Sequence, residues 1–307
     1  MTIIRLGATL LLIFILSTSC SRRLSTDRPV VVSTTGMIHD MVQTIGGDKI
    51  TALGLMGPGI DPHLYRATES DVSTLSNASL IFYNGLHLES KLIDIFKTLS
   101  QSHRKLTIAV SDVIPTASLI SSSDFGGFYD PHLWFDVSLW IQTIEAVTEG
   151  LTTILPDHQS YFDQRALAYS DQLTQLHTAI QAQLAAIPPQ KRILITAHDA
   201  FSYFGEAYDF TVMGLQGIST ETEAGTHDVQ RLVSYIVSNR IPAIFIESSV
   251  PVRHIKAVQA ACQAAGWPVS IGGELYTDAL GTQGTPEETY MGMIRHNVDT
   301  IVNSLMK

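Results

Sequence analysis

The sequence predicts an α/β protein of two lobes, each a parallel sheet flanked by helices, joined by one long linking helix. Two observations carry this. On either side of the middle of the chain, short β-branched runs alternate with helical stretches, the pattern of parallel sheets covered on both faces. Between those halves, apolar residues keep to a single helical stripe from Phe162 to Ile187.

The elements follow in order. Residues 1–20 read as an export signal. Arg5 gives a basic start, residues 8–16 form an apolar core too short to span a bilayer, and Ser17-Thr18-Ser19 precede Cys20. A cysteine in that place resembles a bacterial lipoprotein processing site, where the thiol is lipidated and becomes the mature N-terminus. Ser17 stands where Leu or Val is usual, so an ordinary cleaved signal is the alternative. Either way the mature protein is expected outside the cytoplasm. Cys262 is then the single cysteine left, and no internal disulfide can form. The formal net charge of −10 argues against nucleic acid as a partner.

After a polar tether (21–28), an N-terminal lobe is expected over 29–156. Strands are predicted at 30–33, 50–56, 79–83 and 106–110. Helices are predicted up to Ile45, closed by Gly46-Gly47, and over 89–99. Thr68-Glu69-Ser70-Asp71 has the spacing of a capping box. The linking helix is placed at 157–187, with Asp157 after Pro156 as N-cap and Pro188-Pro189 as stop. At this length it would run roughly 45 Å, wider than one small domain. A C-terminal lobe over 188–307 follows, with strands at 192–196, 211–215, 243–246 and 268–271 and helices at 200–207, 228–238, 253–265 and 286–306. Gly272-Gly273 is read as lying beyond the last strand.

One tripeptide occurs twice, Asp61-Pro62-His63 and Asp130-Pro131-His132. His198 and Asp278 likewise follow strand-like runs. In open parallel sheets, ligands bind beyond the carboxyl ends of strands, so all four side chains can face one crevice. Two come from each half, which puts the metal site in the interlobe cleft. Three imidazoles and a carboxylate make a first shell for a borderline divalent cation. Among the eleven histidines, His87, His103, His158, His177, His254 and His296 fall in or beside helices with polar neighbours and read as solvated. His39 and His227 lie near loop–helix junctions. Glu247 ends a strand, where it can orient a ligating imidazole or cap the next helix.

The chain carries no H-E-x-x-H, C-x-x-C, G-x-S-x-G or P-loop pattern. Four protein ligands close a tetrahedral shell and leave no position for a reacting water, so no enzyme is expected.

At these residues the chain resembles the substrate-binding lipoproteins of bacterial ABC importers for zinc and manganese, the cluster A-I or cluster 9 family. The carriers are Asp61-Pro62-His63 with Thr68 and Asp71, Phe82-Tyr83-Asn84-Gly85-Leu86 with Leu88-Glu89, and Asp130-Pro131-His132-Leu133-Trp134. They continue with His198-Asp199-Ala200-Phe201, Glu247-Ser248-Ser249 and Thr277-Asp278-Ala279-Leu280-Gly281. The resemblance implies two related α/β lobes, a long linking helix, and a metal between the lobes held by His63, His132, His198 and Asp278. It implies a monomer on a lipid anchor at Cys20, or a periplasmic protein, that delivers Zn²⁺ or Mn²⁺ to a membrane permease. Manganese-selective members often carry Glu at the position of His198, and zinc-selective ones a His-rich loop where 117–129 has none. Three nitrogens and one carboxylate prefer zinc over manganese, with Fe²⁺ left open. A secreted metal-dependent hydrolase and a metal-stabilised adhesin are the alternatives.

Overall fold

A computed structural model describes residues 28–306 apart from 104 and 123–124. The export signal, Cys20 and the tether up to residue 27 lie outside the described residues.

In the N-terminal lobe, β1 (Val30–Ser33), β2 (Thr51–Gly54), β3 (Leu80–Tyr83) and β4 (Leu106–Ala109) form one parallel sheet in the order β2-β1-β3-β4. Helix α1 (Gly36–Gly46) buries Met37, Ile38, Met41, Val42 and Ile45 on one face and stops at Gly47, whose φ of 54° suits glycine. Helix α2 (Glu69–Asn77) opens on the expected capping box. Thr68 Oγ1 accepts the Asp71 N–H, and Asp71 accepts the Thr68 N–H at 2.7 Å. The third helix, α3 (Ile93–His103), starts four residues later than expected. Glu89, read as its first residue, instead lies buried and accepts the N–H groups of Asn84 and Gly85. Two helices went unread in the sequence, α4 (Val137–Gln142), capped by Asp136 at the Ser138 N–H, and α5 (Ile144–Ile154).

The linking helix α6 (Gln159–Ala185) has 27 residues and is about 40 Å long. Its buried side chains are Phe162, Ala166, Tyr169, Leu173, Leu176, Ile180 and Leu184, with Ile187 buried just beyond, the stripe expected from the spacing. Asp157 is not its N-cap. Pro156 begins a 3-10 turn, Pro156–His158, and the α-helix starts after it. Helix α6 packs on α1, α4 and α5 of one lobe and on α10 (Tyr290–Leu305) of the other.

In the C-terminal lobe, β5 (Ile193–His198) pairs with β6 (Thr211–Gln216), and β7 (Ala243–Glu247) with β8 (Ser270–Leu275), both ladders parallel. Helices α7 (Ser202–Tyr208), α8 (Thr226–Asn239) and α9 (Arg253–Ala264) complete the lobe. The ladders lie side by side, β5 next to β7, rather than forming one hydrogen-bonded sheet. At their junction the Glu247 carboxylate, not a β7 carbonyl, takes the N–H groups of Ala197 and His198 at 2.6 and 2.9 Å. Strand β8 also runs through Gly272-Gly273, which the sequence reading placed beyond it. A β-carbon on Gly272 would lie 2.6 Å from the Phe245 ring, so close packing on β7 requires glycine inside the strand.

A single apolar cluster extends from Val31 and Met37 through Leu173 and Leu176 to Phe201, Phe245 and Leu305, so the lobes share a core. Smaller clusters centred on Ile81 and Phe96, and on Ile236 and Val258, belong to one lobe each. The linking helix is therefore a core element. Leu173→Ala is expected to cost about 2–5 kcal/mol in denaturant unfolding, whereas Leu167→Ala, on the exposed face, should fall within about 0.5 kcal/mol.

Candidate metal centre

His63, His132, His198 and Asp278 come together with one potential ligand atom each, all within 4.8 Å of one another, and all four are buried. His63 lies in the loop after β2, His132 before a 3-10 turn at Leu133–Phe135, and Asp278 beyond β8. His198 is the last residue of β5 itself, two residues past the expected strand end. The cleft between the lobes is closed by direct contacts. Trp134 Nε1 donates to the Thr277 carbonyl at 2.9 Å, the Tyr203 hydroxyl to the Asp130 carbonyl at 2.9 Å, and the Phe135 and Phe201 rings stack at 4.1 Å.

The repeated Asp-Pro-His motif has a local cause. In each copy the aspartate Oδ1 accepts the histidine N–H at 2.9 Å, while the intervening proline fixes φ and offers no competing donor. The copies then differ. Asp130 Oδ1 also reaches His132 Nδ1 at 2.7 Å, leaving Nε2 to face the centre. Asp61 turns its other oxygen across the cleft to the Thr220 hydroxyl at 2.5 Å. The ring of His198 is held like that of His132, by Glu247 Oε2 on Nδ1 at 2.5 Å. Thr277 Oγ1 donates to the same Glu247 oxygen at 3.2 Å. Of the two roles open to Glu247, the structure puts it on the imidazole and not on a helix cap.

At the centre, His63 Nε2 is 3.3 Å from His132 Nε2. Asp278 presents one oxygen to each remaining imidazole, Oδ1 to His132 Nε2 and Oδ2 to His198 Nε2, both at 3.4 Å. His198 Nε2 and Asp278 Oδ1 are buried with no hydrogen-bond partner. Buried polar atoms are seldom left so. Their convergence with two further imidazole nitrogens fits a cation that takes nitrogen and oxygen ligands.

Electrostatics separates the three rings. Burial drives His63 down to about 3, with the Asp278 carboxylate opposing. Burial also pulls on His132, but Asp130 and Asp278 outweigh it and raise that ring to about 9. His198 is raised well above its ordinary value, Glu247 and Asp278 overcoming burial. Asp278 is held well below the usual carboxylate range, because the His198 and His132 imidazoles more than offset its burial.

Asp130, Asp61, Thr220 and Thr277 were not singled out from the sequence for any contact with the site. For Asp130 the signal was present, since an aspartate two residues before a ligating histidine can reach both its amide and its ring. Thr220 carried none. His39 lines a separate interlobe crevice with Asp40 and Arg165, and His227 is exposed at the start of α8. His177 bonds the Tyr208 hydroxyl from the linking helix at 3.2 Å.

Over residues 31–304 the chain matches the family described as ZnuA, zinc-uptake complex component A periplasmic. It is 49% identical over 280 residues to the zinc-binding protein TroA of Treponema pallidum, spanning 91% of this chain and 90% of that protein. It is 42% identical over 275 residues to the manganese-binding lipoprotein MntA of Bacillus subtilis, spanning 90% and 89%. Identity to the manganese ABC transporter substrate-binding lipoprotein PsaA of Streptococcus pneumoniae is 30% over 281 residues, spanning 90% and 89%. The solved structure of the periplasmic zinc binding protein TroA from Treponema pallidum superposes with a TM-score of 0.88, covering 91% of this chain and 99% of that one. With its two α/β lobes, its linking helix and a match over nearly the whole described chain, the protein belongs to the ZnuA family of metal ABC transporter substrate-binding proteins.

Proposed function

We propose that the protein captures one Zn²⁺ or Mn²⁺ outside the cytoplasm, zinc preferred, and hands it to the membrane permease of an ABC importer. The observation that carries this is the buried convergence of His63, His132, His198 and Asp278, with His198 Nε2 and Asp278 Oδ1 lacking partners. Asp130 and Glu247 fix two of the rings by their Nδ1 atoms and so aim Nε2 at the cargo. Four protein ligands fill a tetrahedral shell, which favours a carrier over a hydrolase. Three nitrogen ligands favour zinc over manganese by intrinsic order. Relatives named for each metal, TroA for zinc and MntA for manganese, lie at similar identity.

The proposal extends to the rest of the chain. Residues 1–20 serve as export signal, Cys20 as lipid anchor and 21–28 as tether. Lobes at 29–156 and 188–307 flank a linker at 157–187, and the protein works as a monomer. Competitive titration of metal-free protein with Zn²⁺ and Mn²⁺ tests the function. One equivalent bound, with zinc displacing manganese, is expected. No binding, or turnover of an ester or phosphate by the loaded protein, would overturn it.

The shared core sets how the cargo leaves. A wide hinge rotation would have to break the apolar cluster running through α6 and the backbone bonds of that helix. Solution scattering is therefore expected to show nearly equal dimensions with and without metal, while hydrogen exchange over 277–284 rises in the metal-free form. A large metal-dependent compaction would refute this.

A further inference from the structure

Three successive residues, Gly85, Leu86 and His87, have left-handed backbone angles, with φ of 88°, 51° and 66°. Left-handed backbone crowds a β-carbon against the next carbonyl oxygen, so such a run persists only where its surroundings over-determine it. One part of those surroundings is a buried carboxylate. Glu89 accepts the Asn84 N–H at 2.7 Å, the Gly85 N–H at 3.2 Å and the Thr34 hydroxyl at 2.7 Å. The Leu88 N–H closes the turn on the Gly85 carbonyl at 3.0 Å.

The other part is the segment that carries His132, which the turn grips at two points. Asn84, fully buried, donates from Nδ2 to the carbonyl of Pro131 at 3.0 Å, one residue before His132. Its amide orientation is set by that carbonyl and by the Gly85 carbonyl at 3.2 Å, and its own Oδ1 has no partner. The His87 ring lies against Phe128, two residues before Asp130, with centroids 3.7 Å apart. Asp130 holds the ring and the N–H of His132, and Asn84 holds the carbonyl of the residue between them.

We propose that the left-handed turn from Asn84 to Leu88, locked by Glu89, is a positioning device that pre-sets the His132 ligand through the Pro131 carbonyl and Phe128. This rests on the reading of the four side chains as a metal site. Strain held in the turn maintains the ligand loop before the cargo arrives, so its ordering is not charged against binding. Loosening the turn is expected mainly to speed metal loss.

Two variants test it in the full-length protein. Asn84→Ala removes the donor to Pro131, and His87→Gly removes the ring on Phe128 while suiting a φ of 66° better than histidine does. The probe is Co²⁺, whose visible absorption reports the arrangement of its ligands, together with Zn²⁺ affinity by competition and the melting temperature of the metal-free protein. Both variants are expected to bind one Co²⁺ with an altered spectrum and to lose about tenfold or more in Zn²⁺ affinity. Metal-free His87→Gly should melt at or above the wild-type temperature. Affinity falling while stability holds is an outcome that a merely structural role does not produce. Wild-type spectra and affinities in both variants would overturn the proposal, and so would an affinity loss in His87→Gly matched by a lower melting temperature. If Asn84→Ala does not fold, the exposed His87 site decides alone. Failure of the wild-type protein to bind Co²⁺ or Zn²⁺ would instead overturn the metal-site reading beneath it.

Discussion

His198→Ala is expected to lose far more metal affinity than the roughly 10–100-fold typical for an outer-shell partner, in a protein that still folds. On the proposed reading the substitution removes a ligand atom and not one of the groups that orient a ligand. The Nε2 of His198 is buried without a hydrogen-bond partner, so the metal-free protein loses only the ring's charge contacts with Glu247 and Asp278, a cost to stability that its apolar core can bear. Glu247 keeps three donors after the ring is gone, the N–H groups of residues 197 and 198 and the Thr277 hydroxyl, so no carboxylate is stranded. The apolar cluster through α6 and the satellite cluster around Ile236 stay intact. The control is His177→Ala on the linking helix. That change removes one bond to Tyr208 and should cost about 1 kcal/mol of stability with unchanged metal affinity. Zinc competition titrations on the two variants check the pair, and equal losses would defeat the assignment of His198.

Metal affinity should also climb with pH through neutrality and on towards pH 9. Ligation needs a bare imidazole nitrogen, so any ring protonated in the metal-free site sets a proton against the metal. His63, driven to about 3, is already neutral. His132, raised to about 9, and His198, raised well above its ordinary value, both carry protons at pH 7. About two protons should therefore leave per metal bound at pH 7. Two imidazoliums carry the same charge as one divalent cation, so Asp130, Glu247 and Asp278 face similar positive charge before and after loading. Titration calorimetry in buffers of different ionisation enthalpy counts the protons. A flat affinity between pH 6 and 9 would refute the exchange.

The same shift bears on the metal-free fold. A histidine whose folded value is raised contributes stability that is complete below its unfolded value of about 6.5 and is lost as pH rises through the folded one. For His132 the window closes near 9. The metal-free protein should thus lose melting temperature across that range, and the loaded protein should not. With the ordinary histidine value of about 6.5 the whole transition would fall below neutrality. The carboxylates packed against two of the rings move it upward.

Much of this protein was determined by sequence alone, because much of its pattern is local. The alternation of strands and helices, the stripe on α6, the capping box at Thr68 and the two Asp-Pro-His turns depend on residues a few places apart. The four residues that converge were legible from their residue types beside strand-like runs, although His198 ends β5 itself and His132 follows a loop with one isolated bridge. Tertiary structure decided what depends on distance. Phe245, whose ring packs on Gly272, carries β8 through a glycine pair that reads as a loop, and Glu247 stands between β5 and β7 where one sheet was expected. Thr220 meets Asp61, and Asn84 meets Pro131, across long separations in sequence. The protonation of the site belongs with these. A pKa is set by the charges within a few ångströms and the water excluded from them, and only packing adds Glu247 and Asp278 to the local Asp130 contact while leaving His63 to burial.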